Sequence, residues 1–171
     1  MQIKESGEGF AGIRRALRFL QKNKCYIGIP AANASRDSKG ITNVELAFIH
    51  SKGSPRLRIP ARPFLEPAIE QDAAQQQILR HMKAAAAAAA DGNEGGARAE
   101  LDKAGQAGEN AAKDYIGSGN HAPNSGFTLT GGWMRNRISG KPFYAEPKTS
   151  AVPLIDTGSL RSSITHVIEE G

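Results

Sequence analysis

The segment 66–116 constrains the fold most, because it is almost continuous helix-forming sequence. Pro67 suits the first turn of a helix, and the alanine run 84–90 has the highest helix propensity of any residue type. The tripeptide 91–93, Asp-Gly-Asn, is the clear stop signal inside the segment. We therefore expect two helices, over 66–90 and 94–116, that pair as an antiparallel hairpin.

Two glycines inside the second of these helices need an explanation. Gly105 and Gly108 each cost about 1 kcal/mol relative to alanine in a helix interior. The simplest reason for them is close backbone packing against the alanine-rich helix. The alanine run itself has a second interpretation, a low-complexity linker, but its propensity favours a thin helix that a neighbour can approach closely.

Near the start of the chain, apolar residues recur at the spacing of one helix face and predict a further helix over 9–23. We expect its apolar residues to form one buried stripe: Phe10, Ile13, Leu17 and Leu20. The opposite side is basic, which is typical of a solvated face and also of a surface that attracts DNA or an acidic partner. The candidates for that electrostatic role are Arg14, Arg15 and Arg18. A short strand at 26–29 is expected next.

A capping box predicts where the following helix begins. The spacing of Thr42 and Glu45 lets the hydroxyl accept from the third amide of the helix while the carboxylate reaches back. The helix should continue to about Ser51, and Gly53 is placed to end it in a left-handed conformation.

A proline-rich stretch then restricts the backbone around one arginine. Pro60 and Pro63 bracket Arg62 and force extended geometry on the residue before each proline. The direction of the Arg62 side chain is thereby fixed at low entropic cost.

The C-terminal part combines a turn, a cap and a strand. Asp156 or Thr157 can cap a short helical turn through a side-chain oxygen, and Gly158 lets the backbone bend. Beyond Leu160 the period changes to that of a strand over 164–168, with Ile164, His166 and Ile168 on one face. Taken alone, this stretch is best explained as an ordinary turn-to-strand connection.

The segment 117–151 differs in composition, being rich in Gly, Ser, Asn, Pro and Lys. It is too long for an idle connection within a compact domain, so we expect an extended arm that partners order; a disordered loop is the alternative. Aromatic and basic side chains in such an arm are suited to anchoring an interface: Phe127, Trp133, Arg135, Phe143 and Tyr144.

Composition and motifs argue against several functional classes. The net charge of +5 permits contact with nucleic acid without requiring it, and the single cysteine excludes an internal disulfide. The four histidines lie in different predicted elements without metal-ligand spacing, and the serines lack a nucleophile elbow. We expect a protein without catalytic activity, metal or cofactor, and with neither a signal peptide nor a membrane span.

Three blocks in order resemble a known family: 42–50 (TNVELAFIH), 59–65 (IPARPFL) and 153–160 (PLIDTGSL), the last followed by Ser163-Ile164. The chain resembles the tail-completion, or neck, proteins of tailed bacteriophages, a head-tail joining family that also includes Mu-like virion morphogenesis proteins. Each block alone is weakly specific, and together they span most of the chain. The departures are the alanine run and the segment after Gly117.

The resemblance implies an α+β fold in one head-tail joining domain over 1–171, with a small sheet packed on helices, the 66–116 hairpin and the 117–151 arm as sub-elements. It implies a structural role in a ring, expected to be a hexamer, at the virion neck, after synthesis in the bacterial cytoplasm. The expected partners are the head connector or stopper, the tail terminator or tail-tube protein, and genomic DNA in the channel, with no membrane.

The resemblance also suggests roles for individual residues. The turn Asp156, Thr157, Gly158 would direct Leu160 into the core, and Arg62 would contact a neighbouring subunit or order its own fold. The full set of candidate subunit contacts is Arg62, Pro63, Phe64, Phe127, Trp133, Arg135, Phe143 and Tyr144. The alternative function is a nucleic-acid-binding module that uses the 10–24 helix. These two functions differ in the salt dependence that they predict for DNA binding.

Overall fold

The computed structural model describes residues 7–35, 40–137 and 139–171, and within them an α+β fold. Short antiparallel sheets accompany long helices. The described elements are α1 (Gly7–Lys22), β1 (Asn23–Gly28), α2 (Asn43–Lys52), α3 (Leu65–Ile69), α4 (Asp72–Ala90), α5 (Glu94–Gly117), α6 (Gly126–Thr130), β2 (Gly132–Arg135), β3 (Pro142–Ala145), α7 (Ser159–Ser163) and β4 (Thr165–Glu170).

These elements form two compact units built from interleaved segments. Of the described residues, unit 1 contains 7–28, 69–111 and 165–171, and unit 2 contains 29–35, 40–68, 112–137 and 139–164. The interleaving gives no linear domain boundary, and α5 contributes residues to both units. The single domain implied by the resemblance stays a prediction.

In unit 1, α4 and α5 form the expected hairpin. The Nδ1 atom of His81 on α4 lies 2.8 Å from Oε2 of Glu100 on α5, and Ala85 and Leu101 share one core cluster. The predicted single helix over 66–90 is wrong, because Gln71 has an extended backbone that separates α3 from α4. The break lies between Ala68, buried in unit 2, and Ala74, buried in unit 1, so packing overrides local propensity here.

The sheet of unit 1 pairs β1 with β4, in a register that runs from Asn23 opposite Glu170 to Gly28 opposite Thr165. Both strands extend beyond the predictions, which placed them at 26–29 and 164–168. Glycines on α5 let this sheet approach the helix: a Cβ on Gly105 would lie 2.5 Å from His166 Cδ2 and 2.7 Å from Cys25 Sγ. The expectation that Gly105 serves packing against α4 is therefore wrong.

The helix that approaches the alanine-rich α4 most closely is α1. A Cβ on Gly12 would lie 3.3 Å from the carbonyl oxygen of Ala90, and Phe19 is buried among alanines of α4. The predicted buried stripe of α1 is wrong for three of its four residues: Phe10, Ile13 and Leu17 are 60%, 57% and 54% exposed, whereas Leu20 is partly buried against the core cluster. Gly12 and Phe19 face the core instead, and the glycine lets α1 approach the end of α4 closely.

In unit 2, α2 begins and ends where predicted, although a ψ of 179° places Gly53 outside the left-handed helical conformation that was expected. Thr42 and Glu45 make both bonds of the capping box, and Gly53 ends the helix at φ 71°. A side chain at Gly53 would also collide with the backbone of Ala61, since its Cβ would lie 2.8 Å from that amide nitrogen. The segment 117–151 holds more regular structure than an extended arm, namely α6 and the β2–β3 hairpin.

Candidate assembly surfaces

Arg62 lies in the interior of its own unit. Its Nε donates to the Ala122 carbonyl oxygen at 2.6 Å and its Nη2 to the Pro123 oxygen at 2.8 Å, and the residue is 7% exposed. Phe64 is buried as well, whereas Pro63 is exposed. The expectation that Arg62 and Phe64 form subunit contacts is corrected: Arg62 orders its own fold by tying residues 122–123 to the segment after α2.

Two further basic groups lie near Arg62. Burial lowers the pKa of Lys148, whose Nζ donates to the Val152 oxygen at 2.6 Å, and the charge of Arg62 lowers it further, against the opposing pull of Asp156. Burial also lowers the pKa of His121, although a hydrogen bond to the Tyr115 carbonyl acts in the opposite direction. Backbone carbonyls thus supply most of the acceptors that hold this basic group of residues.

The Asp156–Leu160 turn is internal architecture, but its cap differs from the prediction. Asp156 Oδ1 accepts from the backbone amide and hydroxyl of Thr149 at 3.3 and 3.1 Å, while Gly158 occupies the N-cap of α7 at φ 80° without a side-chain cap. Thr157 Oγ1 accepts only from the Ser159 amide, at 3.4 Å. Leu160 is buried, as expected.

The β2–β3 hairpin presents aromatic side chains on both faces. Trp133 and Tyr144 are directly opposite in the register and meet edge to face at 5.7 Å between ring centroids; Met134 and Phe143 form the adjacent pair. Trp133 is 76% exposed and the other three are also exposed. Phe127 of α6 packs near Gly132 and keeps part of its ring exposed. The predicted aromatic candidates are therefore brought together with the exposed Arg135.

The basic side of α1 is partly used within unit 1. Arg15 donates to the Ala90 carbonyl oxygen from Nε and Nη2, at 3.0 and 2.6 Å, and so caps the end of α4. Lys22 lies 2.5 Å from Glu170, whose other oxygen is 2.5 Å from Arg98, and these bonds lower the pKa of Glu170 to about 2. Within the described residues, Arg14 and Arg18 are exposed without such a partner.

Sequence reasoning missed an ionic cluster between α5 and β4. His166 Nδ1 lies 2.7 Å from Glu109 Oε2 and its Nε2 lies 3.2 Å from Asp102 Oδ1. Burial alone would lower the pKa of His166, but the hydrogen bonds to Glu109 and Asp102 and their charges outweigh it and raise the pKa. The signal was the i, i+3, i+7 spacing of Asp102, Gly105 and Glu109, which sets two carboxylates around a glycine on one helix face.

Across the described residues, no cluster of three or more His, Cys, Asp or Glu side chains is arranged to hold a metal ion. None of the helices formed by those residues is long and apolar enough to cross a bilayer. No family model matches the chain, and no curated protein or solved structure matches it either.

Proposed function

We propose that this chain is a structural subunit of the neck of a tailed bacteriophage, where copies form a ring that completes the tail and joins it to the head around a DNA channel. The order of the three sequence blocks, 42–50, 59–65 and 153–160, supports the assignment to this family. The exposed aromatic side chains of the β2–β3 hairpin support assembly. The expected ring is a hexamer with head connector and tail-tube proteins as neighbours.

The exposed aromatic hairpin is the observation that carries the proposal. An isolated two-stranded hairpin is marginally stable in water, and here both faces of β2–β3 carry large apolar side chains. Single exposed apolar residues are ordinary, whereas clustered ones mark interaction sites. Aromatic side chains such as Trp133 and Tyr144, with Arg135 beside them, are the types enriched at the energetic centres of interfaces.

The test is the mass of the purified chain in solution, measured by light scattering over a range of concentrations and checked by negative-stain imaging, alone and with head and tail proteins. Wild type should form closed rings in at least one setting. Trp133→Ser should weaken assembly about tenfold or more, as expected when an interface loses an aromatic anchor. Gln76→Ala, an exposed polar position on α4, is the control and should assemble normally. Monomers in every setting would overturn the proposal.

A nucleic-acid-binding module remains the second candidate, because Arg14 and Arg18 lie exposed on one helix. DNA affinity that falls steeply with salt, with a slope that Arg14→Gln plus Arg18→Gln reduces, would favour it. Weak binding with a shallow slope is the result expected for a channel that lets DNA pass.

A further inference from the structure

Three large apolar side chains on one side of the amphipathic helix α1 are exposed. Phe10, Ile13 and Leu17 recur at i, i+3 and i+7, and each is more than half exposed. Helical geometry places them between the core-facing side, marked by Gly12 and Phe19, and the side that carries Arg14. The helix therefore offers a ridge of three large apolar side chains with a cation at its edge.

Unit 2 contains an apolar groove along α2. A groove of about 510 Å³ is lined by Gly40, Ile41, Val44, Glu45, Phe48 and Ile49. Val44 and Phe48 lie one helical turn apart and both are exposed, Phe48 to 66%. Pockets of about 300–1,000 Å³ hold drug-sized ligands, so the groove has room for several side chains of a helix.

The charges of the two surfaces are complementary. The ridge has Arg14 at its edge, and the groove has Glu45 as its acidic side chain. Hydrogen bonds from the Thr42 backbone and hydroxyl lower the pKa of Glu45, so this carboxylate is ionised at neutral pH. Opposite charges at the rim of an apolar contact favour one register and one orientation of the docked helix.

We propose that the ridge of α1 in one copy docks into the α2 groove of the next copy. This is helix-in-groove recognition, in which an amphipathic helix lays residues at i, i+3 and i+7 into an apolar channel. Because the two surfaces differ, the contact is heterologous: the copy that docks its ridge keeps a free groove, and its neighbour keeps a free ridge, so further copies can add. The inference rests on the proposed ring and names the contact that repeats around it.

Two single substitutions and their mixture test this contact. Leu17→Asp removes the ridge and Phe48→Asp removes the groove; both positions are more than half exposed, so each chain should fold, which circular dichroism checks. Each variant alone should associate at least a hundredfold more weakly than wild type. Mixed in equal amounts, they should form a one-to-one dimer that neither forms alone, because the ridge of Phe48→Asp and the groove of Leu17→Asp are intact.

The outcomes separate this inference from the function on which it rests. If wild type assembles but the mixture stays monomeric, or if either variant assembles alone, the α1–α2 contact is refuted and the ring proposal survives. In particular, a homodimer of Leu17→Asp would show that the contact is not heterologous, and the inference would fail. Wild-type monomers in every setting would overturn the ring itself.

Discussion

Replacing Gly105 by alanine should destabilise the protein, although the same change stabilises most helices. Glycine in a helix interior is about 1 kcal/mol less favourable than alanine, so helix propensity alone predicts that the substitution raises the free energy of unfolding. The new Cβ, however, would lie 2.5 and 2.8 Å from His166 Cδ2 and Cγ and 2.7 Å from Cys25 Sγ. Such distances force the side chains or the strands to move.

The size of the effect follows from these two opposing contributions. Overpacking by one methyl group typically costs about 1–3 kcal/mol. Displacement of the His166 ring also weakens its bonds to Glu109 and Asp102. After the propensity gain is subtracted, we expect Gly105→Ala to lower the free energy of unfolding by about 1–2 kcal/mol, or several degrees in Tm for a chain of this size.

Urea denaturation followed by the helical circular dichroism signal measures this change, with Gly95→Ala as the matched control. Gly95 lies on the same helix, and the nearest atom to its added Cβ is Asn93 Oδ1 at 4.0 Å. The control should gain a few tenths of a kcal/mol or more from propensity. If Gly105→Ala is as stable as the control, the close approach of β1 and β4 to α5 is not the reason that glycine is needed at position 105.

Three further predictions concern single positions. The raised pKa of His166 means that protonation of this side chain stabilises the folded state. The stabilisation is complete below the unfolded pKa of about 6.5 and is lost as the pH rises through the folded pKa. His166→Asn should therefore flatten the decline in the urea midpoint between acidic and alkaline buffers. Arg62→Lys should lose about 2 kcal/mol or more in unfolding free energy, because an ammonium cannot reproduce the forked bonds to the two carbonyls, and a loss below the error of the denaturation curve would contradict that role. Gly53→Ala should reduce the thermal midpoint by several degrees, as strain from a positive φ adds to the collision with Ala61, and an unchanged midpoint would argue against it.

Local signals in the sequence predicted most of the elements correctly. The Thr42–Glu45 capping box, the Gly53 stop and the 91–93 break each depend on residues only a few positions apart, and all three are observed. The hairpin of α4 and α5 followed from propensity and chain connectivity. Such features need no knowledge of the partner against which the segment packs.

Contacts between distant segments were the part that could not be predicted. His166 meets Glu109 and Asp102 across 57 and 64 positions, and Arg62 reaches Ala122 across 60. A single sequence shows that a helix carries polar side chains at certain positions, but it does not show which strand packs against those positions. The break at Gln71 has the same origin, since no helix-breaking residue marks it and packing alone separates α3 from α4.

The error on α1 has a different cause. A hydrophobic period shows that one face of a helix is to be buried, but it does not say whether the burying surface belongs to the same chain. Gly12 and Phe19 satisfy the internal contact with α4, and Phe10, Ile13 and Leu17 are left over. A chain that needed only to fold could carry polar residues at those three positions without loss of its core. The proposed contact with α2 of another copy would account for their apolar character, and the mixing experiment with Leu17→Asp tests it.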